Sequence, residues 1–439
     1  MNYTSYEIIL LIVLIISLVI KIPISLFNKF FLLILASWIV FNPIFDESFT
    51  NWEHFIKLTC LVFGLICVNF DREKIISSNK TLILCVLLAS MLIISSTNLL
   101  TLYLCLELQS LAVFVLLGQN RRGINTIESS IKYFVLSSIS SGIFLLGSSL
   151  VFVNAGSCDL TPLSSNVYVL EKTLITVALL FKLAASPFHF WVPDVYQGSQ
   201  NKVLLVLGTM PKISVFGVFL MLFPNNKLVL LSTVLSLIIG SIGAINQAKF
   251  KRLLGYSSIL AIGFVFLGMN ALNTQGVESS VTYILIYLIT FGGIMITAEL
   301  TIKEHTSIAE FSKLISQNRV LLVAFSVLLL SIIGIPPLAG FYAKWMVIST
   351  AISSNFILSS LLSVMCAMVA GLYYLRLVKI GYFQENKVFL MWKEVLLNEN
   401  KTSHTLTMIL GVIVYFLCFF LIYPHSLYEL VHYILVSVF

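Results

Sequence analysis

Apolar stretches long enough to cross a lipid bilayer recur along this 439-residue chain, with short connections between them. Only 10% of the residues are charged, and the mean hydropathy is +1.02. A helix needs roughly 20 residues to cross the hydrocarbon core, and on that basis we count about fourteen spans. Backbone polar groups find no partners in lipid, so such spans must be helices. The sequence therefore predicts an all-α, polytopic membrane protein.

The predicted spans are numbered one to fourteen in chain order. Their centres lie near Leu14, Leu35, Val62, Leu88, Glu107, Phe144, Lys182, Lys212, Leu237, Phe264, Leu288, the Pro336-Pro337 pair, Cys366 and Ile413.

The positions of the basic residues predict how these spans are oriented. If the spans alternate, nineteen of the 26 lysines and arginines fall in the connections on one side of the membrane, which we call side A. The other side has only Lys57, Lys172 and Lys227. Lysine and arginine collect in cytoplasmic loops, so side A is predicted to be the cytoplasm or the mitochondrial matrix. Both termini are then predicted to face the opposite side.

Five charged residues lie inside apolar runs and are the candidate functional residues. They are Glu107, Lys132, Lys182, Lys212 and Lys344. An ammonium group at the bilayer centre costs at least about 2.5 to 3.5 kcal/mol, and such residues mark ion or proton pathways by default.

Each of these residues also has a purely structural interpretation. Glu107 could pair with a polar group that helps two helices to pack. Lys132 lies about one turn inside its span and could extend its ammonium group to side A. Lys344 could bind backbone carbonyls that neighbouring prolines leave free.

Two spans contain prolines that predict a broken helix. Pro187 follows Lys182 by five residues, and the Pro336-Pro337 pair precedes Lys344. Proline removes a main-chain donor and interrupts the helical hydrogen bonds. A break persists in lipid only where protein or water surrounds it. We therefore expect interruptions in spans seven and twelve, with water reaching Lys182 and Lys344.

The two breaks also indicate an internal repeat. They are five spans apart, so the two broken helices run in opposite directions, as in an inverted-topology repeat. Helices four to eight would form one unit and helices nine to thirteen the other. We divide the single membrane domain 1–439 into three N-terminal helices (1–80), a first repeat (81–225), a second repeat (226–385) and a C-terminal loop with the last helix (386–439).

Other features of the sequence limit the possible chemistry. The seven cysteines show no CxxC spacing, and no glycine-rich nucleotide motif is present. We expect no metal or cofactor in this chain. The net charge of +7 is spread over short loops, so no nucleic-acid partner is expected. The apolar N-terminus is interpreted as the first span, because it lacks a basic leader.

Several motifs resemble one family. PFHFWVPDVYQG, KRLLGYSSI, SIIGIPPLAGFYAKW, ESSIKYFVLSS and YLCLELQSL look like those of chain 2 of NADH:ubiquinone oxidoreductase, respiratory complex I, from about Leu82 onward. The form WVPDVYQG is more similar to chain 2 than to chains 4 and 5, which have a histidine in this motif. Lys344 stands where chain 4 has glutamate. The Ser199-Gln200-Asn201 stretch departs from the family, which has proline there, and leaves the shape of that loop open.

The resemblance implies a proton-translocating membrane subunit of complex I, in the mitochondrial inner membrane or a bacterial plasma membrane. NADH, FMN, iron-sulfur clusters and ubiquinone would be bound by partner subunits. The expected neighbours are chain 4, small membrane subunits and lipids. The alternative is an Mrp-type cation/proton antiporter subunit without a redox partner, because both share the fold. A scaffold that has lost its pathway is disfavoured by the intramembrane charges.

Because the charge of one buried group shifts the protonation of its neighbours, the five charged residues are predicted to form a proton relay. The resemblance implies that Glu107 is the acid on the uptake side. The Glu107-Lys182 pair would gate the central Lys212, and Lys344 would lead to the far exit or the next subunit. A charge change about 8 Å away, at an effective dielectric near 20, is worth roughly 2 kcal/mol. Moving one proton against 100 mV takes about 2.3 kcal/mol, so such couplings must be repeated along a chain.

Overall fold

The structure of this chain is a computed structural model, and it is helical throughout the residues it describes. These are residues 10, 11, 14, 52–70, 77–119, 123–160, 169–222, 227–271, 273–301, 308, 319–383 and 404–436. An isolated β-bridge joins Asn98 to Asp159, and no described segment forms a strand. The prediction of an all-α protein is confirmed.

Fifteen α-helices follow one another in the described part of the chain. They are α1 (Trp52–Asn69), α2 (Ser77–Ile94), α3 (Leu99–Leu117), α4 (Ile124–Ala155), α5 (Val169–Leu183), α6 (Trp191–Gly198), α7 (Asn201–Leu222), α8 (Lys227–Ile245), α9 (Phe250–Met269), α10 (Thr274–Thr301), α11 (Arg319–Ile333), α12 (Ala339–Ser353), α13 (Ile357–Phe383), α14 (His404–Phe419) and α15 (His425–Val436). A short 3-10 helix, Phe420–Ile422, extends α14.

Nine helical segments in these described ranges are long and apolar enough to cross a membrane, and α2 and α11 are shorter apolar helices. The helices from α1 to α14 correspond to predicted spans three to fourteen. Spans seven and twelve each comprise two helices, α5 with α6 and α11 with α12. The first two predicted spans lie outside the described residues, apart from Leu10, Leu11 and Leu14.

Both predicted helix breaks are present. The helix of span seven ends at Leu183 and resumes at Trp191, with Pro187 between the two halves. Span twelve ends at Ile333 and resumes at Ala339, on either side of the Pro336-Pro337 pair. The missing proline donors therefore interrupt both helices where the sequence predicted.

The two breaks begin with the same backbone motif. In α5, Ala185 N donates to Leu180 O and Ala184 N to Phe181 O, each at 3.0 Å. In α11, the corresponding bonds run from Ile335 N to Leu330 O at 3.2 Å and from Gly334 N to Ser331 O at 3.0 Å. This pair of bonds is the Schellman motif, which satisfies carbonyls at the end of a helix. The shared motif agrees with a repeat that relates the two broken helices.

The first residue after each half-helix has a left-handed backbone. Its φ is 66° at Ala184 and 85° at Gly334. Glycine adopts this conformation without steric cost, whereas alanine does so at some cost that the surrounding packing must offset.

Three helices form the centre of the bundle. In the span windows of α7 and α10, 94% of the residues are buried, and in that of α9 89% are buried. The windows of α4 and α13 are only 39% buried, and their exposed residues are largely apolar. The central helices thus pack against protein on all sides, while α4 and α13 present apolar faces suited to lipid.

The structure corrects the predicted position of one basic residue. Lys57 was assigned to a connection on the side opposite to side A, but it lies within α1 and is only 1% exposed. Lys227, from the same group, is the first residue of α8 and is exposed. Lys57 is therefore a further buried cation that the sequence reading missed.

Gly340 allows α12 to begin in close contact with α11. A Cβ atom at this position would collide with the backbone carbonyl oxygen of Ser331, which cannot move without disturbing the end of α11. By contrast, a Cβ atom at Gly142 in α4 would meet no atom within 4 Å.

We predict that Gly340→Ala destabilises the second break by about 1 to 3 kcal/mol, the usual cost of overpacking. The amount of assembled protein in membranes, measured on native gels, should fall. Gly142→Ala is the matched control and should assemble normally, since alanine favours a helix interior more than glycine does. Equal assembly of the two variants would contradict the close packing at Gly340.

The predicted orientation can be tested at two connections of the bundle. Ser157 follows α4 and should lie opposite to side A, whereas the exposed Asn246 follows α8 and should lie on side A. Single cysteines at these positions, in a chain whose seven native cysteines are replaced by serine, should react with a membrane-impermeant maleimide from opposite sides of sealed vesicles, with the cysteine-free chain as the control. Labelling of both from the same side would refute the alternating topology.

Candidate functional site

A small cavity next to the first helix break brings together two of the predicted lysines. Lys182, at the end of α5, and Lys212, in the middle of α7, both line it. The remaining lining residues are Gln109, Ser110, Tyr133, Phe181, Trp191, Leu207 and Pro211. Neither ammonium nitrogen has a hydrogen-bond partner among the described residues. Two buried cations therefore share a cavity with few polar groups.

Glu107 is linked to this cavity through α3. The hydroxyl group of Ser110, which lines the cavity, donates to Glu107 Oε2 at 3.0 Å. Glu107 also lies close enough to Lys182 for its charge to act on the ammonium group. Gln109, on the same helix, also lines the cavity, and its Nε2 donates to Ser214 Oγ of α7 at 3.3 Å. Among the described residues, Glu107 and Lys182 form no direct ion pair, and the carboxylate acts on the ammonium group only through its charge.

The helix break itself helps to accommodate the charge of Lys182. This residue is in the last turn of α5, where the partial negative charge of the helix C-terminus stabilises a cation. One carbonyl of that turn, Phe181 O, accepts a hydrogen bond from Trp191 Nε1 at 3.1 Å. The Trp191 ring also stacks on Phe181, with centroids 5.7 Å apart. Trp191, the first residue of α6, therefore ties the two half-helices together across the break.

Lys212 lies at the centre of the bundle between two aromatic rings. Its Nζ is 5.8 Å from the ring centroid of Tyr196 and 5.4 Å from that of Tyr287. Pro211 precedes it inside α7, and the residue is only 2% exposed. Aromatic faces attract a cation, and more so when water is excluded. The rings therefore provide part of the stabilisation that water would otherwise give to this ammonium group.

The ammonium group of Lys344 forms a hydrogen bond at the second helix break. Its Nζ donates to Ile333 O at 2.8 Å, and Ile333 is the last residue of α11. The same atom lies 5.2 Å from the centroid of Phe264 in α9. This is the bond that the structural interpretation predicted, and it also places a second ammonium group at a helix C-terminus. The two interpretations of Lys344 are therefore compatible.

Buried tyrosines occupy the centre of the bundle around Lys212 and Lys344, and the sequence reading did not identify them. In the described structure, the hydroxyl groups of Tyr196, Tyr287, Tyr373 and Tyr374 are buried without a hydrogen bond of good geometry. Their polar neighbours are Ser258 for Tyr196 and Tyr287, Ser257 for Tyr374, and each other for Tyr373 and Tyr374. Tyr283 stacks on Phe264, the ring beneath Lys344, with centroids 5.4 Å apart. A buried hydroxyl without a well-formed hydrogen bond is costly, so each of these groups favours a water molecule beside it. The tyrosine pairs in YILIY and GLYYL are the sequence signal that could have revealed them.

Lys132 does not join the cavity but lies in a separate ion cluster. Its Nζ is 2.6 Å from Glu128 Oε1 and 2.9 Å from Asp194 Oδ2, and its side chain is 40% exposed. Asp194 also faces Arg252, with a shortest distance of 3.6 Å. The cluster connects α4, α6 and α9 near their side A ends, which agrees with the outward-reaching interpretation of this lysine.

The family-like motifs are in contact with one another. Gly255 of KRLLGYSSI approaches the backbone of Pro193 in WVPDVYQG so closely that a Cβ atom would lie 3.1 Å from it. Lys251 Nζ donates to Ser199 O at 2.7 Å, at the end of α6. Asn201, in the stretch that departs from the family, begins α7 and donates to Glu299 Oε2 at 3.0 Å. The loop whose shape was left open is thus fixed by side chains.

No group of three or more histidine, cysteine, aspartate or glutamate residues in the described part of the chain is arranged to hold a metal ion. The polar residues that line the cavity carry two amines, an amide, two hydroxyls and an indole N–H, and the Glu107 carboxylate is bonded to one of the hydroxyls. Such groups can bind and pass protons, because each titrates or donates a hydrogen bond.

Comparison with known proteins identifies a family. The family described as "NADH:quinone oxidoreductase/Mrp antiporter, TM" matches residues 96–370. NADH-ubiquinone oxidoreductase chain 2 of Metridium senile is 36% identical over 380 residues, covering 82% of this chain and 98% of the relative. NADH-quinone oxidoreductase subunit N of Pelagibacter ubique is 31% identical over 388 residues, covering 81% and 82%.

Solved structures agree with these matches. A chain of respiratory complex I from Thermus thermophilus, with bound aureothin, superimposes with a TM-score of 0.84 at 26% identity, covering 97% of this chain and 99% of that chain. A chain of the Mrp complex from Dietzia sp. DQ12-45-1b gives a TM-score of 0.76 at 16% identity, covering 88% and 83%, and shows a shared fold. The chain therefore belongs to the NADH:quinone oxidoreductase/Mrp antiporter family of membrane proteins, and within it to the group of chain 2 and subunit N.

Proposed function

We propose that this chain translocates protons as a membrane subunit of NADH:quinone oxidoreductase, and that Glu107, Lys182, Lys212 and Lys344 carry them. The observation that carries the proposal is the cavity that joins Lys182 to Lys212 beside a broken helix. A scaffold would gain nothing from burying two unpaired ammonium groups in one cavity, because each is costly in the membrane. A proton pathway requires such groups.

The arrangement supports transfer by electrostatic switching. When Glu107 and Lys182 are both charged, they stabilise each other across the cavity, and a proton on Lys212 is repelled by Lys182. If Glu107 takes up a proton, Lys182 loses its counter-charge and can pass its own proton toward Lys212. A charge change of this kind is worth roughly 2 kcal/mol at about 8 Å, which is enough to shift a protonation equilibrium more than tenfold.

Lys344 would continue the pathway beyond the central lysine. The buried tyrosine hydroxyls around Lys212 and Lys344 offer donors and acceptors for water between the two ammonium groups. The bond from Lys344 to Ile333 O gives the ammonium group a resting position at the second break. Transfer would require Lys344 to exchange this bond for one to water.

Lys132 would act on the uptake side of the relay. Its cluster with Glu128 and Asp194 is partly exposed and connects α4 to α6, whose first residue closes the break beside Lys182. Protons from side A could reach the cavity past this cluster. Lys132 would then set the charge at the mouth of the pathway rather than within the cavity.

The free energy for pumping would come from electron transfer in other subunits. NADH, FMN, the iron-sulfur clusters and ubiquinone are assigned to those partners, and this chain would contribute only the proton pathway. We assign chain 4 and small membrane subunits as the neighbours of this chain, and lipid to the apolar faces of α4 and α13. The inner mitochondrial membrane or a bacterial plasma membrane would be its location.

Membership of a redox complex separates this proposal from the Mrp alternative. That alternative is supported only by the fold that this chain shares with a chain of the Mrp complex at 16% sequence identity. We expect affinity-purified chain from detergent-solubilised membranes to carry the flavin and iron-sulfur subunits, together with NADH:quinone reductase activity. Recovery with other antiporter subunits alone, without flavin, would overturn the assignment.

We predict that Glu107→Gln and Lys182→Gln each lower proton pumping coupled to NADH oxidation by about tenfold or more, since a lost coupling of roughly 2 kcal/mol exceeds one tenfold step. Pumping should be measured in proteoliposomes with a pH-sensitive dye, together with NADH oxidation. Glu53→Gln and Lys227→Gln, at exposed positions, are the matched controls. Assembled Glu107 and Lys182 variants that pump like the controls would refute the relay.

A separate variant tests the role of Lys132. Lys132→Arg should keep the ion pairs with Glu128 and Asp194, but arginine does not release its proton. If Lys132 takes part in proton uptake, we expect this variant to assemble normally and to pump more slowly than a Lys227→Arg control. Normal pumping by Lys132→Arg would show that the cluster only holds the helices together.

A further inference from the structure

Glu278 is a buried carboxylate at the start of α10 that the relay described above does not include. Its side chain is 2% exposed, although it is only the fifth residue of the helix. Glu278 Oε1 lies 2.6 Å from Nδ1 of His432 in α15, and Oε2 is buried with no hydrogen bond to any described residue. A buried carboxylate with one unsatisfied oxygen is costly, so its retention calls for an explanation.

The partner of Glu278 reaches the surface of the protein. The His432 side chain is 51% exposed, so the pair extends from the interior of the bundle to its exterior. Histidine is the side chain that exchanges protons most readily near neutral pH. A carboxylate inside and an imidazole outside, in direct contact, have the geometry needed to pass a proton between the interior and the surface.

The helix that carries His432 covers this end of the bundle. With 12 residues, α15 is too short to cross a membrane, and its residues Val431, Ile434 and Leu435 are buried. Tyr428, one turn before His432, stacks on its ring with a centroid distance of 6.5 Å. Burial, followed by a hydrogen bond to the Glu278 carboxylate and by the charge of that carboxylate, raises the pKa of Tyr428 to about 12.

The same end of α10 is connected to the helix of Lys344. Ser279, the neighbour of Glu278, has its hydroxyl 3.1 Å from that of Thr350 in α12. Thr350 is six residues beyond Lys344, about 9 Å along the helix axis. Tyr283, one turn farther along α10, stacks on Phe264, over which the Lys344 ammonium group lies. Polar groups of α10 and α12 therefore extend from Lys344 to the end of the bundle at which Glu278 lies.

We propose that Glu278 and His432 form a proton-transfer site that connects Lys344 with the membrane surface opposite to side A. The proposal rests on the proposed relay, for which it names the exit. Glu278 accepts a proton from the Lys344 side on its free oxygen, and releases the proton through His432 to the solvent. The rival explanation is that the pair is a structural contact that only holds α15 against the bundle; we call this contact the clasp.

Two variants distinguish an exit from a clasp. In Glu278→Gln the amide can still bond to His432 but cannot take up and release a proton. In His432→Gln the amide can still donate to Glu278, and the half-exposed position tolerates the change. Both are made in the complete complex, with Glu429→Gln and His425→Gln, exposed positions of the same helix, as matched controls.

We expect both variants to assemble on native gels and to release protons about tenfold more slowly per complex, because a positioned proton donor or acceptor contributes about 10²-fold or more and water replaces it only in part. If Glu278→Gln fails to assemble, proton release by the His432→Gln variant decides between the two explanations. Normal proton release by an assembled Glu278→Gln or His432→Gln variant would overturn the exit and leave the clasp.

A Lys344→Gln variant in the same series separates this proposal from the relay itself. If Lys344→Gln lowers pumping while the variants at Glu278 and His432 pump normally, the exit is wrong and the relay stands. If Lys344→Gln also pumps normally, the pathway through Lys344 fails, and the exit proposal fails with it.

Discussion

The structure depends on how two interrupted helices satisfy their backbone groups inside a membrane. Each break begins with a Schellman motif, and each leaves the negative end of a half-helix in the interior of the bundle. A lysine lies at both ends: Lys182 belongs to the terminating helix, and Lys344 reaches back to Ile333 O from the next one. Both breaks make a buried ammonium group tolerable, and at the second break the Lys344 ammonium group also binds a carbonyl of the helix end.

For this reason a structural role and a proton-carrying role are difficult to separate at the lysines beside the breaks. Lys344 makes a bond that a purely structural residue would make, yet the bond is to a helix end that could equally hold the group between two transfers. Lys212 differs, since it has no such helix end and lies between the rings of Tyr196 and Tyr287.

The sequence predicted the features that depend on local chemistry. Proline cannot continue the hydrogen bonds of a helix, so Pro187 and the Pro336-Pro337 pair located both breaks, and the length of the apolar runs located the spans that the structure describes. The left-handed backbone at Ala184 could not be predicted, because alanine gives no signal for it. Lys57 was misplaced because a lysine near the end of an apolar run looks like a loop residue, whereas only packing shows it to be buried.

The parts of the site that were missed depend on contacts between distant segments. Glu278 and His432 are 154 residues apart, and neither lies in a pattern that singles it out. The tyrosines were hidden among many aromatic residues, and their meaning depends on the burial of their hydroxyl groups. Lys132 was identified as a candidate, but its partner Asp194 belongs to the WVPDVYQG motif, so only the fold shows the ion cluster.

The central claim is that the first break opens a hydrated path between Lys182 and Lys212. It is tested most directly by determining the structure of the intact complex at a resolution that shows ordered water. We predict water within hydrogen-bond distance of both ammonium nitrogens, inside the cavity lined by Ser110 and Trp191, with protein and no lipid around the break. A dry cavity, a continuous helix through Pro187, or an ammonium group that points into lipid would contradict the account.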